Sequence, residues 1–374
     1  MKQVKQLSGF TLIELMVSMA IGLFLVAGVI TIMLDSKENF LLEQELSYIQ
    51  ENARFAIDEL SYDIRMAGYT GCSQEGELSN TVDDPASSDW KFASTGIVGY
   101  EQGDADVPIE FAADVTSSTD VLIINRGEPN EAVTVSSHNT GSQQINLSSD
   151  GDFEDGEILV IASANCSHMA IFQKTEPTAA DANYIRHQTS GASPGNCHSA
   201  LSNSSGTNYA GYDCSATPAG GELGLSYPAG STIMRFSSNA YFVKNSPNTG
   251  LPSLFRETLV AVGSSATSQS REFVSGVEDF QIIYGVDNDA TADNTIDRYY
   301  SAANITDLVG DVGNGYVGWD RVLSARFTLI LRSMRPVYAE NTSVNLGDGD
   351  IFNDRYMRQK VSSTVKIRNR VAGA

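Results

Sequence analysis

The feature that most constrains this chain is the run GFTLIELMVSMAIGLFLVAGVITIML, from Gly9 to Leu34. From Phe10 to Leu34 there are 25 residues, and Glu14 is the only charged one. At about 1.5 Å rise per residue, roughly 20 apolar residues cross a bilayer core of about 30 Å. The run is therefore long enough to span. A secretory signal peptide has a shorter apolar region of about 7–15 residues, ending at a small-residue cleavage site. Here the polar run Asp35-Ser36-Lys37-Glu38 follows instead. Lys2 and Lys5 precede the span, and Asp35, Glu38, Glu43 and Glu45 follow it with Lys37. Cytoplasmic flanks are enriched in Lys and Arg, so the expected orientation is N-terminus in, remainder out.

Glu14 needs its own account. A carboxylate one helical turn inside a bilayer is costly. It is tolerated if it lies near the interface or is neutral there. It is also tolerated if another subunit or a newly made N-terminus supplies a cation.

Beyond the span, residues 40–66 contain neither Gly nor Pro. Leu42, Leu46, Ile49, Ala53, Ala56, Leu60 and Ile64 recur at intervals of three and four, the stripe of an amphipathic helix. Glu43, Glu51, Arg54, Asp58 and Glu59 lie on other faces. The polar side is mainly acidic, unlike that of a membrane-surface helix, so the stripe is expected to dock on a folded domain. Gly68 and Gly71 offer stops.

The segment Leu7-Ser8-Gly9-Phe10-Thr11-Leu12-Ile13-Glu14-Leu15 resembles the N-terminal signature of type IV prepilins and pseudopilins. The resemblance implies a basic leader cut after Gly9 by a prepilin peptidase, N-methylation of Phe10, and a Glu14 that pairs with a neighbouring pilin's terminal amine. Three further patches resemble PilW-type minor pilins of type IV pili: ARFAI followed by DIRMAGYTGC within 52–72, Ala164-Asn-Cys-Ser-His-Met-Ala-Ile-Phe-Gln173, and Phe280-Gln-Ile-Ile-Tyr-Gly-Val-Asp287. The implied fold is α+β and pilin-like. A long helix, transmembrane and then amphipathic, packs on a large antiparallel β-rich periplasmic domain. The implied segments are a leader at 1–9, a transmembrane half at 10–34, an amphipathic half at 35–67 and a β-rich domain at 68–374.

Net charge is −22, falling to −24 once Lys2 and Lys5 leave with a leader, which argues against a nucleic-acid groove. Cysteines stand at 72, 166, 197 and 214, all beyond the span. An oxidising compartment favours disulfides, and four cysteines allow three pairings. Cys72–Cys166 with Cys197–Cys214 is the expected set. Zinc is disfavoured, because His168 and His198 lie near Cys166 and Cys197 without a C-x2-C pair.

Candidate strands are 121–125, 132–136, 157–162, 169–174, 240–244, 254–262, 280–286, 321–332 and 363–368, with Phe327, Leu329 and Leu331 on one face. The Ser/Gly/Asn-rich stretch 188–230 reads as an irregular insertion.

Catalytic motifs fail on inspection. Gly191-Ala-Ser193-Pro194-Gly195 fits G-x-S-x-G, but Pro194 has no N–H for an oxyanion hole. Gly313-Asn-Gly315-Tyr-Val-Gly318 leads into a β-patterned run, not a helix. Ser88-Asp-Trp-Lys91 has no partner motif. No enzyme is expected. Asp287, Asp289, Asp293 and Asp297 form a weak calcium candidate that lacks the EF-hand glycine and glutamate; Asp348, Asp350 and Asp354 are weaker still. No other cofactor is expected. The function implied is that of a minor pilin in pilus assembly, priming it or sitting at the tip. Its partners would be other minor pilins, the major pilin, the prepilin peptidase and the inner membrane. The alternatives are a minor pseudopilin of type II secretion and a membrane-anchored periplasmic binding or adhesive domain.

Overall fold

A computed structural model of the chain describes residues 11–72, 77–83, 90–92, 95–101, 107–108, 115–116, 119–129, 132–175, 183–201, 225–288, 293–305, 318–347 and 349–369. One helix, α1, runs without interruption from Leu12 to Met66. It ends where Gly68 takes φ 72°, the left-handed conformation that terminates helices at low cost for glycine. A side chain at Gly96 would meet the Gly68 Cα at 2.5 Å, so the chain can approach there only with glycine at 96.

The described residues divide into two compact units, one within 1–51 and 333–358, the other within 52–332 and 359–374. In the first, the hairpin β15 (Thr342–Asn345) and β16 (Ile351–Asp354) pairs Thr342 opposite Asp354. Arg358 closes it with two hydrogen bonds of 2.7 Å to the Asp354 carboxylate. Its guanidinium lies 4.1 Å from the Phe352 ring centroid. Glu45 of α1 is buried, and its Oε2 accepts the Met334 N–H at 2.8 Å.

In the second unit, the spine is β9, Thr232–Asn245. Its first residues pair with β6 (Ile158–Ala162) and β4 (Val133–Asn139). Its later residues pair with β3 (Val121–Gly127) and β10 (Pro252–Val262). β4 leads on to β5 (Gln144–Leu147) and β8 (Tyr184–Arg186). β6 leads to β7 (His168–Gln173) and then β1 (Glu77–Asn80). β2 (Ile97–Tyr100) edges β3, and β11 (Ser265–Ser275) edges β10. This 11-stranded sheet is accompanied by a four-stranded one, in the order β13 (Arg298–Tyr300), β12 (Val277–Val286), β14 (Val322–Arg332), β17 (Arg358–Lys366).

The expected antiparallel sheet is corrected at one place: β1 runs parallel to β7. All nine expected strands overlap observed ones. The helical stripe shifts by one position at its start, because Leu46 is 39% exposed while Glu45 is buried. Ile49, Ala53, Ala56, Leu60, Ile64 and Ala67 are buried as the spacing requires.

Candidate assembly site

At its N-terminus α1 is closed by a reciprocal cap. Thr11 Oγ1 accepts the Glu14 N–H at 3.3 Å. The Glu14 carboxylate in turn accepts the Thr11 N–H at 3.2 Å and the Thr11 hydroxyl at 3.1 Å. This is the T-x-x-E capping box, in which two orphan donors of the first turn satisfy each other's partners. Within its own chain Glu14 thus has two neutral donors, both from Thr11. The signal was visible as Thr11 three residues before Glu14.

Past the cap, the apolar residues face outward on every side. Leu12, Phe24, Ile32 and Met33 are all at least 70% exposed. The stretch is long and apolar enough to cross a membrane. Its hydroxyls turn inward to the helix: Ser18 donates to the Glu14 carbonyl at 2.6 Å and Thr31 to the Ala27 carbonyl at 3.0 Å. That leaves few polar atoms for lipid or a neighbouring helix to meet.

The other end of α1 is held by a buried ion. Asp63 Oδ1 accepts from Arg126 Nη2 at 2.9 Å and Nε at 3.3 Å. Its Oδ2 accepts from Asn239 at 3.0 Å and from the Tyr241 hydroxyl at 2.6 Å. Asn239 and Tyr241 are two apart on β9, and Arg126 is on β3, so alternation puts all three on one sheet face. Burial opposes the Arg126 charge, but Asp63 and Glu128, the latter at 2.8 Å, outweigh it and raise its pKa. Burial, and then Asp63, pushes the Tyr241 hydroxyl well above its ordinary range. Four hydrogen bonds make a buried carboxylate tolerable and fix the rotation of the helix on the sheet. Residue spacing alone does not find this site, because Asp63 stands among ordinary helical charges.

The remaining predicted residues divide. Cys72 and Cys166 are joined in a disulfide that ties the chain just after α1 to the turn between β6 and β7. Cys197 is disulfide-bonded. Gly9, Phe10, Cys214 and Asp289 lie outside the described residues. Asp287 Oδ2 accepts the N–H groups of Asp293 and Asn294 at 2.9 and 2.7 Å, and Arg321 Nη1 stands 3.8 Å from its Oδ1. Asp297 accepts the Asn288 N–H at 2.7 Å. Here the acidic side chains hold the loop's own backbone. Among the described residues, no three His, Cys, Asp or Glu side chains are grouped to hold a metal ion. Ser193 is engaged through its backbone, donating to Ser264 at 2.9 Å and accepting from Ala266 at 2.8 Å.

Residues 240–369 match the family described as Type IV Pilus-assembly protein W. Residues 5–30 match the prokaryotic N-terminal methylation motif. The patch Phe280–Asp287 lies inside the first match; those within 52–72 and 164–173 lie outside it. No curated protein and no solved structure matches the chain.

Proposed function

The chain is a PilW-type, pilin-like protein, a minor pilin of type IV pilus assembly, and from that we propose how it is processed, placed and used. It is made with residues 1–9 as a leader, cut after Gly9 by a prepilin peptidase and methylated at Phe10. Before the cut, Lys2 and Lys5 hold the leader on the cytoplasmic side; afterwards the chain waits in the inner membrane with the β-rich part in the periplasm. It then joins other minor pilins to prime the filament or to sit at its tip, and contacts the major pilin there. Its role is structural.

The observation that carries this reading is the outward-facing apolar stretch of α1 behind the Thr11–Glu14 cap. A lone membrane anchor has no need of a carboxylate at that depth. In an assembling subunit, the same carboxylate exchanges the Thr11 donors for a neighbour's terminal amine, a stronger charge-assisted partner.

The test is Glu14→Ala in cells that otherwise assemble pili. The variant is expected to remain in the membrane fraction with its disulfide formed, while piliation falls to the level of a strain lacking the protein. Normal piliation by the variant would contradict the reading and leave an anchored periplasmic domain.

A further inference from the structure

Three of the chain's four histidines form one cluster in the second unit, with His138 and His168 against Tyr227 and His187 against His138. His138 is on β4, His168 opens β7 and His187 follows β8. The Tyr227 ring centroid is 5.9 Å from that of His138 and 4.6 Å from that of His168. His138 and His187 stand edge to face at 5.1 Å. Tyr227 and His187 are both buried.

The hydrogen bonds decide where the protons are. The Tyr227 N–H donates to His138 Nδ1 at 3.2 Å, so that nitrogen carries no proton. A neutral His138 then carries its proton on Nε2, which lies 3.0 Å from His187 Nε2. His187 Nε2 must accept. Burial holds His138 neutral, down to about 4, and burial with His138 beside it takes His187 to about 3. Burial also lowers His168, whose Nε2 is 3.3 Å from the Ser226 carbonyl and whose Nδ1 is 2.8 Å from Ser167 Oγ. The other charged groups nearby are Arg186, which lies over the Tyr184 ring, and Lys174 at the end of β7, which is bound to Asp155 and the Phe153 carbonyl. His198 follows Cys197 in the same segment. Among the described residues, no carboxylate hydrogen-bonds to either ring of the pair. The same tautomer disfavours a metal on His138 Nε2, since that would put a proton on Nδ1 against the Tyr227 N–H.

We propose that the His138–His187 pair is an acid-operated latch that holds the Ser226–Tyr227 segment on the sheet. Protonation of His138 removes the acceptor for the Tyr227 N–H and sets N–H against N–H. Protonation of His187 does the same between the two Nε2 atoms. The Tyr227 hydroxyl donates to the Leu201 carbonyl at 3.2 Å, so release of Tyr227 also frees the chain at Leu201.

Residue-resolved amide exchange on the whole chain in detergent, from about pH 7 to about pH 3, tests this. Protection at the Tyr227 amide is expected to fall at least about tenfold towards the acid end, while Phe280 on β12 and Leu329 on β14 keep theirs. In His138→Asn, the Asn Oδ1 accepts the Tyr227 N–H at every pH, so the loss should disappear. If that variant does not fold, His187→Gln, which can still accept from His138 Nε2, replaces it and should shift the loss to lower pH. Protection kept at Tyr227 throughout, a single loss shared with Phe280 and Leu329, or an unchanged loss in the folded variant would overturn the latch.

Discussion

Residues 12–34 and 53–67 belong to the same stretch of chain after Thr11, yet they are stabilised by opposite means. The first part has a local cap and an apolar surface that nothing among the described residues covers. The second buries Ala53, Ala56, Leu60, Ile64 and Ala67 completely or nearly so and anchors a carboxylate with four hydrogen bonds. The difference teaches that one part is finished as folded, whereas the other is finished only by lipid or by other subunits.

The contrast can be broken most severely at Asp63. Asp63→Ala leaves Arg126 buried without its main partner and should cost about 3–5 kcal/mol, read as a shift in denaturant unfolding of the β-rich part. Next in size, Leu60→Ala should cost about 2–5 kcal/mol in the same assay, whereas Leu25→Ala, on the exposed part, should stay within about 0.5 kcal/mol. Comparable losses from both would erase the distinction.

A pH series sharpens it further. The folded pKa values of His138 and His187, about 4 and about 3, lie below the ordinary 6.5, so the unfolded chain binds more protons between them. Stability is therefore full above pH 6.5 and drains as pH falls through that window, by at most about 1.4 kcal/mol per pH unit for each histidine. Residues 12–34 hold no histidine and are exposed, so the helical signal of that stretch should not follow the same curve, whereas 53–67, bonded to β3 and β9 through Asp63, should. The most local loss is expected from Thr11→Ala, about 1 kcal/mol and confined to the first turn, visible as faster amide exchange at Glu14 and Leu15. Fraying that reached Ser18 and beyond would show that the cap does more than close one turn.

Much of this was legible in the residues because burial follows period. The three-and-four spacing and the alternation of Phe327, Leu329 and Leu331 each report one hydrophobic face, and the 25-residue run before them reports a helix apolar all round. β11 was missed because Ser265–Ser275 is mostly polar and its burial does not alternate cleanly, so no period marks it. Leu46 was misplaced because a backbone N–H from Met334 makes Glu45 acceptable in the buried row. Asp63 and the histidine pair were invisible as sites, since each is defined by partners 49 to 178 residues away in sequence.

The most direct measurement is the intact mass and N-terminal sequence of the protein extracted from membranes of cells with and without prepilin peptidase. The account predicts a chain that starts at methylated Phe10 only where the peptidase is present. A chain that starts at Met1 in both would contradict it.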